Sequence, residues 1–265
     1  MKEKNMIKVI NSTREKCKFA LLYQIVAGNN PETCTDNKNY FMARTDSDHP
    51  TWIWTKSELS KSKTREIQER LTQFLIANKK IKCTCDKEFY DILRNEHYEY
   101  LTNDYFEMGT YFCEKLIKPK AVEGKCRIAE AKDIPTLVKF HKDNVLEIDK
   151  QYITEEQSLK DITDIFNSQN KTFYVWENNS KKIVCMAVVN KNGDFARINF
   201  VYTPEEERCK SYAKNIIYAL TKKVLDEKLL PVLYTDFNYP ASNKAYMAVG
   251  YQPCGILINF SCLMN

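Results

Sequence analysis

One segment constrains the fold of this chain more than any other. The apolar, β-rich run Phe195–Tyr202 passes into a charged turn, Thr203–Lys210, and the turn opens a long helical pattern. Ala213, Ile216, Ile217, Leu220 and Val224 recur at spacings of three and four, the period of a helix with one buried face. Pro231–Phe237 then reads as a second strand. Strand, turn, long helix and strand belong to an α/β chain. Backbone N–H groups in a turn at a helix start also make a ready place for a phosphate.

The residues around this segment extend the pattern. Cys126–Ala131 reads as a short strand, and Asp133 with Pro135 opens a helix carrying Leu137, Val138, Phe140, Val145 and Leu146. Ser158–Phe166 reads as another helix. Lys171–Trp176 and Ile183–Asn190 are strand-like runs joined by Asn178-Asn179-Ser180, and Asn192-Gly193-Asp194 is a second hairpin signal. A short helix is expected over Asn243–Val249, with Ser242 as its cap and Gly250 closing it, and a last strand over Ile256–Cys262.

The polar stretch Lys118-Pro119-Lys120-Ala121-Val122-Glu123-Gly124-Lys125 separates this region from an earlier one. The break predicts two domains, 1–122 and 123–265. In the first, Phe19–Val26 reads as a helix, and Tyr40–Ala43 and Thr51–Thr55 as strands. Glu66–Ala77 is an amphipathic helix with Ile67, Leu71, Phe74 and Leu75 inward. Ile81–Cys85, Lys87–Leu93 and Tyr105–Cys113 read as strand, helix and strand. Trp52 and Trp54 alternate with Ile53, so both indoles face one way; packing and an aromatic wall for a ligand are both open.

Composition narrows the function classes. The chain has 265 residues, 43% hydrophobic and 28% charged with the signs mixed, which suits a folded globular protein. The formal charge of +5 is a weak excess, spread rather than gathered into a stripe. That argues against a nucleic-acid binder and is compatible with an anionic cofactor. The apolar runs Phe19–Val26 and Ile183–Val189 fall short of the ~20 residues a membrane span needs. Met1–Asn5 is charged with no signal-type core behind it, so a cytoplasmic protein is expected. The ten cysteines include no paired CxxC motifs, and Cys83-Thr84-Cys85 alternates as a strand does; reduced thiols and no metal site are expected. Three histidines, His49, His97 and His141, leave little material for a histidine metal site or triad.

Two motifs carry a resemblance. In the first, Arg208, Ser211 and Ala213 fall at the spacing Arg-x-x-Gly-x-Gly/Ala. In the second, Tyr234-Thr235-Asp236-Phe237-Asn238 leads through a short loop to Ser242, Asn243 and Tyr246, then Gly250-Tyr251. Together they resemble the acyl-CoA site of the GNAT N-acetyltransferase superfamily. The order β-α-α-β-β-β-α-β-α-β over residues 126–262 is also the order of that fold.

The resemblance implies an α/β protein with a mixed (α+β) sheet: a GNAT acyl-CoA acyltransferase fold in the C-terminal half and a smaller α/β domain before it. Ile81–Tyr90 echoes Leu233–Asp236 with Ser242–Tyr246, the pattern a degenerate N-terminal copy would leave, although common strand–helix grammar produces the same look. By the same resemblance the cofactor is acetyl-CoA and the partner substrate an amine, a small molecule or a peptide amine; neither membrane nor nucleic acid is implied.

The residue roles follow from the resemblance too. Val201, Tyr202 and Thr203 would hold the pantetheine arm and the approach to the pyrophosphate, with a β-bulge near Asn199–Val201. Arg208, Cys209, Lys210, Ser211, Tyr212 and Ala213 would bind the pyrophosphate. Asn238, Ser242 and Asn243 would contact the cofactor, and Tyr246 would protonate the leaving sulfur. No base is evident: the strand offers Asp194, Arg197 and Asn199 but no Glu, leaving Glu147, Asp236 or a water chain. Cys209 and Ser211 stand where relatives carry glycine. A capping box, Thr203-Pro204-Glu205-Glu206, reads the same turn as a plain helix start at Pro204. The rival function is accordingly a weak or inactive GNAT-like module that binds CoA or a protein partner.

Overall fold

A computed structural model describes residues 10, 12–28 and 30–264. The charged start Met1–Asn5 lies outside them. The chain divides into two compact units, one made of the chain up to Tyr111 with Tyr234–Tyr239 and the stretch from Pro253 on, the other of Phe112–Leu233 and Pro240–Gln252. The polar stretch Lys118–Lys125 therefore lies inside the second unit, and the chain returns twice to the first.

In the first unit, α1 (Thr13–Lys18) and α2 (Ala20–Ala27) precede β1 (Glu32–Thr35), β2 (Tyr40–Arg44) and β3 (Thr51–Thr55). Next come α3 (Lys61–Asn78), β4 (Lys80–Asp86), α4 (Lys87–Asn95) and β5 (Leu101–Phe112). The last strand of the chain, β11 (Gln252–Leu263), lies antiparallel to β4. Strands β1, β2 and β3 pair antiparallel, whereas β3 and β4, joined by α3, run parallel. Ile67, Leu71 and Leu75 of α3 are fully buried with Ile53, Cys85 and Phe89, so one helical stripe covers the sheet. Trp52 and Trp54 are both buried; Trp54 Nε1 donates to Glu15 at 2.9 Å, and Trp52 packs on Tyr234, which favours packing over a ligand wall.

In the second unit, β6 (Lys125–Ile128), α5 (Ile134–Asp149) and α6 (Glu155–Phe166) precede β7 (Lys171–Glu177), β8 (Ile183–Asn192) and β9 (Phe195–Tyr202). Then come α7 (Tyr212–Asp226), β10 (Leu230–Asp236) and α8 (Pro240–Met247). Strands β6 to β9 pair antiparallel in sequence order, and β9 and β10, joined by α7, run parallel. Leu137, Val138 and Phe140 of α5 and Ile162 of α6 bury one face against Phe173, Val175, Met186, Val188 and Tyr202. Ile216, Ile217, Leu220 and Val224 of α7 are buried as its periodicity predicts.

The mixed α/β architecture agrees with expectation; several boundaries do not. Helix α1 and strand β1 were not anticipated, being short and polar. Strand β6 stops at Ile128 because Glu130 and Asp133 form a reciprocal capping box that begins a 3₁₀ turn. Helix α6 starts at Glu155, capped by Thr154 rather than at Ser158. Helix α8 starts at Pro240, so Ser242 lies within it instead of capping it. All ten cysteines are free thiols; most are buried, and Cys209 is exposed. Among the described residues no helix is long and apolar enough to cross a membrane.

Candidate active site

The site begins at β9. On one side, β10 pairs with it over Phe195–Arg197, against Leu230–Val232. On the other side, the β8 register slips between Val188↔Asn199 and Met186↔Tyr202, which inserts an extra residue into β9. The bulge expected near Asn199–Val201 is therefore present, and Phe200 within it holds a left-handed backbone at φ 51°. A bulge re-aims the backbone and frees peptide groups from the ladder, so a ligand can pair with them as an added strand would.

Past β9 the chain does not enter a helix at once. Glu205–Glu207 form a single 3₁₀ turn, and the regular helix α7 begins only at Tyr212. The capping-box reading, with a helix from Pro204, is thus not the one the chain adopts. Cys209 and Ser211 sit at φ 62° and 66°, the left-handed region that glycine occupies at least cost. These are the two positions where glycine was missing from the motif; the conformation is kept although the residue is not. Ser211 precedes α7 with no side-chain cap. The first N–H groups of the helix, on Tyr212, Ala213 and Lys214, therefore have neither an intrahelical nor a capping side-chain acceptor, which is the arrangement that binds anions.

The charged residues of the turn are already paired. Glu205 and Glu206 point outward, whereas Glu207 is buried between Lys182 Nζ at 2.6 Å and Lys210 Nζ at 2.8 Å. Hydrogen bonds from those lysines hold its carboxyl below the usual carboxylate range. Arg208 donates from Nε to the Thr203 carbonyl at 3.0 Å, lies over the Tyr202 ring, and forms a charged hydrogen bond with Glu147 at the end of α5. Burial pushes the Tyr202 hydroxyl up to about 12, and its ring packs at a tilt on Phe140, 5.5 Å between centroids. Tyr212 donates to Glu123 at 3.1 Å.

Helix α8 carries the remaining residues of the second unit. Asn243 is buried and Ser242 half-buried. Tyr246 is half-buried, edge-on to Tyr251 at 6.2 Å; Tyr251 in turn bonds Thr221 at 2.9 Å. Gly250, at φ 109°, ends this segment, and a Cβ there would overlap the Lys115 carbonyl oxygen. A cavity of about 950 Å³ elsewhere in this unit is lined by Arg127, Asp133, Lys139, Glu177 and Lys182 and shares Glu206 with the turn. Arg127 pairs there with Asp133 and Glu177, and Lys182 with Glu207; the cavity holds none of the bulge residues.

Residues 142–251 match the model of the acetyltransferase (GNAT) family. They are a GNAT acetyltransferase domain. The protein is on that ground an acyltransferase. Among solved structures, a GCN5-related N-acetyltransferase from Kribbella flavida is similar at TM-score 0.63 and 13% identity, over 93% of this chain and 94% of its own. An acetyltransferase from the GNAT family from Colwellia psychrerythraea is similar at TM-score 0.57 and 15% identity, over 87% and 84%. A GCN5-related N-acetyltransferase-like protein from Streptococcus suis is similar at TM-score 0.53 and 13% identity, over 99% and 98%. At such identities these likenesses speak to the fold alone. No curated protein matches the chain.

The GNAT domain brings Val201, Tyr202, Thr203, Arg208, Cys209, Lys210, Ser211, Tyr212 and Ala213 together on the bulge and the turn after it. Ser242, Asn243 and Tyr246 share α8. Asp236 and Asn238 belong to the other unit, where the Asp236 carboxylate accepts the Asn238 N–H at 2.7 Å in a local turn. Two polar residues near the bulge escaped the sequence reading as functional groups. His141 is buried against Ser158 at 3.0 Å, and Asn199 Oδ1 is buried with no hydrogen-bond partner among the described residues. The available signal was weak: a polar pair, His141 and Asn144, on the inward side of an otherwise apolar helical stripe.

Proposed function

We propose that this protein is an N-acetyltransferase that moves the acetyl group of acetyl-CoA to an amine by direct attack, with no covalent intermediate on the enzyme. One observation carries the reading: β9 is bulged at Phe200 and runs into an uncapped helix through two left-handed non-glycine residues. Strain of this kind costs on the order of 1 kcal/mol or more per residue and persists where the site needs the geometry.

Acetyl-CoA brings an activated acyl group; the chain supplies binding and proton transfer. The N–H groups of Tyr212 and Ala213, with the Arg208 guanidinium, suit a pyrophosphate. The backbone of Val201, in the bulge, and of Tyr202 beside it suits the two amides of a pantetheine arm, and Asn243 is a further contact to the cofactor. The amine nitrogen forms its bond to the acyl carbon, the C–S bond breaks, Tyr246 gives a proton to the departing sulfur, and the proton the nitrogen loses passes through solvent, which restores the phenol. A phenol near 10 remains protonated at neutral pH and can protonate a thiolate near 8.5. Tyr246→Phe is expected to lower kcat by about 10²- to 10³-fold while leaving the calorimetric Kd for acetyl-CoA unchanged. An unaltered kcat would remove Tyr246 from the mechanism.

A second reading, a CoA-binding or partner-binding module without turnover, draws on Arg208 and Lys210, whose charges are paired with Glu147 and Glu207. Titration calorimetry separates the two. No heat at millimolar acetyl-CoA overturns the enzyme, and binding without thiol release across a panel of amines favours the module.

A further inference from the structure

Two of the ten thiols meet in the first unit, away from the residues of the acyl-transfer reading. Cys17 lies on α1 and Cys254 on β11, near opposite ends of the sequence. Arg14, Cys17 and Lys18 share one face of the helix, since residues three and four positions apart are neighbours there. Arg14 Nε donates to the Cys254 carbonyl at 2.9 Å. The Lys18 stem crosses the next residue so closely that a Cβ on Gly255 would stand 3.1 Å from Lys18 Cδ. Cys17, on the same face, therefore bears on Cys254, and the two thiols are hydrogen-bonded to each other. Cys17 is fully buried and Cys254 is 5% exposed. The Tyr234 hydroxyl reaches the Cys17 carbonyl at 3.3 Å, and the Thr110 hydroxyl donates to the Gly255 carbonyl at 2.9 Å, so both backbones are held where the thiols meet.

Burial alone makes a thiol inert, because it disfavours the thiolate that reacts. Cys254 departs from that rule. The hydrogen bond from Cys17, with the positive charges of Arg14 and Lys18, outweighs burial and holds the Cys254 thiol below its usual range. Asp86 on β4 is paired with Lys18. The same unit supplies a contrast. Cys83 and Cys262 also bond to each other, across β4 and β11, and both are buried. That bond and burial raise the Cys83 thiol well above its usual range, with no lysine beside it to oppose them. Both pairs have their sulfurs in contact, and only Cys17 with Cys254 has a thiolate to begin a reaction.

We propose that Cys17 and Cys254 form a reversible disulfide site in the first unit, oxidised by a hydroperoxide and reduced again by thiols. In the first step the Cys254 thiolate attacks one peroxide oxygen. The S–O bond forms, the O–O bond breaks, and the departing hydroxide takes up the proton the thiol had released and leaves as water. In the second step the Cys17 sulfur attacks the Cys254 sulfur. The S–S bond forms, the S–O bond breaks, and the hydroxyl leaves as water with the Cys17 proton. Two thiols lose two electrons and, with hydrogen peroxide as oxidant, one peroxide becomes two waters. The bridge ties the first helix of the chain to its last strand, and a crosslink between such distant positions restricts the unfolded chain strongly. The oxidised form is therefore the more stable one.

Two experiments on the full chain decide it. In the first, the folded wild-type protein is reduced, freed of reductant and treated with hydrogen peroxide at neutral pH. Remaining thiols are alkylated in denaturant, and the chain is mapped by mass spectrometry without reduction. The main disulfide within the chain should join Cys17 to Cys254, and dithiothreitol should remove it. Cys83 and Cys262 should be recovered as alkylated thiols. Thermal unfolding of the oxidised protein should move up by about 5 °C or more. In the second, Cys17→Ser is treated in the same way. Cys254 should then stop at the sulfenic acid, captured by dimedone, and the peroxide-dependent rise in Tm should vanish.

Recovery of Cys17 and Cys254 as thiols from the peroxide-treated wild type overturns the site. So does a bridge that forms only once urea has unfolded the chain, or a Cys83–Cys262 bridge that forms as readily. A variant whose Tm still rises with peroxide assigns the stabilisation to other thiols and overturns it as well. Mapping of the wild type needs no substitution, so it decides the question even where Cys17→Ser fails to fold.

Discussion

Ser211 and Cys209 show how a single residue can keep a conformation its side chain opposes. Both hold positive φ in the turn before α7, where a Cβ crowds the following carbonyl. Ser211→Gly and Cys209→Gly should therefore each stabilise the fold by roughly 1 kcal/mol, about 2–4 °C in Tm, as seen by thermal unfolding. The same variants should tighten CoA binding by calorimetry, since a turn without Cβ atoms lets phosphate nearer the N–H groups; a drop in Tm would show that the side chains stabilise the turn. Arg208 and Glu147 make a complementary case. Glu147 is a candidate base by sequence, and its oxygen is spent on the Arg208 guanidinium. A phosphate must compete with that carboxylate. Glu147→Gln should strengthen CoA binding several-fold, and the gain should shrink at high salt, where charge pairs are screened. Weaker binding would instead mean that Glu147 orients Arg208 toward the ligand.

At the scale of elements, the second unit is fastened at its edge by one guanidinium. Arg127 on β6 donates to both oxygens of Asp133, at 2.6 and 3.1 Å, and to Glu177 on β7 at 2.8 Å; Asp133 also accepts the Glu130 N–H. The cluster joins β6, β7 and the start of α5. Hydrogen bonds from Arg127 hold both carboxyls below their usual range. A group whose folded value is depressed adds stability that is present above its unfolded value, near 4, and lost as pH falls through the folded one. Wild-type Tm should thus decline below about pH 4. Arg127→Gln should lower Tm at pH 7 by about 5–10 °C, the consequence of breaking a buried pair, and flatten the acid decline. An acid limb as steep as the wild type's would place the acid sensitivity elsewhere. Elements of this size were largely readable in advance. Thr51–Thr55 and Phe195–Tyr202 are strands over those same residues, being β-branched or aromatic runs between polar turns. Helices α3 and α7 follow from their apolar period. The start of α8 was not readable, because Pro240 and Ser242 both make sound helix openings. Nor was the bond between Arg208 and Glu147, which are 61 positions apart and joined only by folding. The left-handed turn was hidden for another reason: its usual marker is glycine, and neither residue is one.

On the scale of the whole molecule, the pairing reveals a repetition that residue identities barely hint at. Strands β1, β2 and β3 are antiparallel, α3 crosses to the parallel β4, and α4 and β5 follow. Strands β7, β8 and β9 are antiparallel, α7 crosses to the parallel β10, and α8 and β11 follow. We take the first unit as a degenerate copy of the second. Its turn, however, is built differently. Ser60 is extended rather than left-handed and caps α3 by accepting from Lys63 N–H at 3.4 Å, so the donors that could meet a phosphate are partly answered within the chain. Near the ends of β3 and β4, Trp54 bonds Glu15 and Lys18 pairs with Asp86, and these side chains line a cavity of about 650 Å³. In the second unit the Ser211 side chain caps nothing and β9 carries a bulge. The two copies should therefore respond differently to cofactor. Hydrogen–deuterium exchange with and without saturating CoA should slow the amides of Ile198–Ala213 and leave those of Trp54–Lys63 and Asp86–Phe89 unchanged. Protection of both copies would mean that the capped turn also binds nucleotide. Protection of the first copy alone would put the acyl donor in the wrong half of the chain and remove Arg208, Ser211 and Tyr246 from the mechanism together.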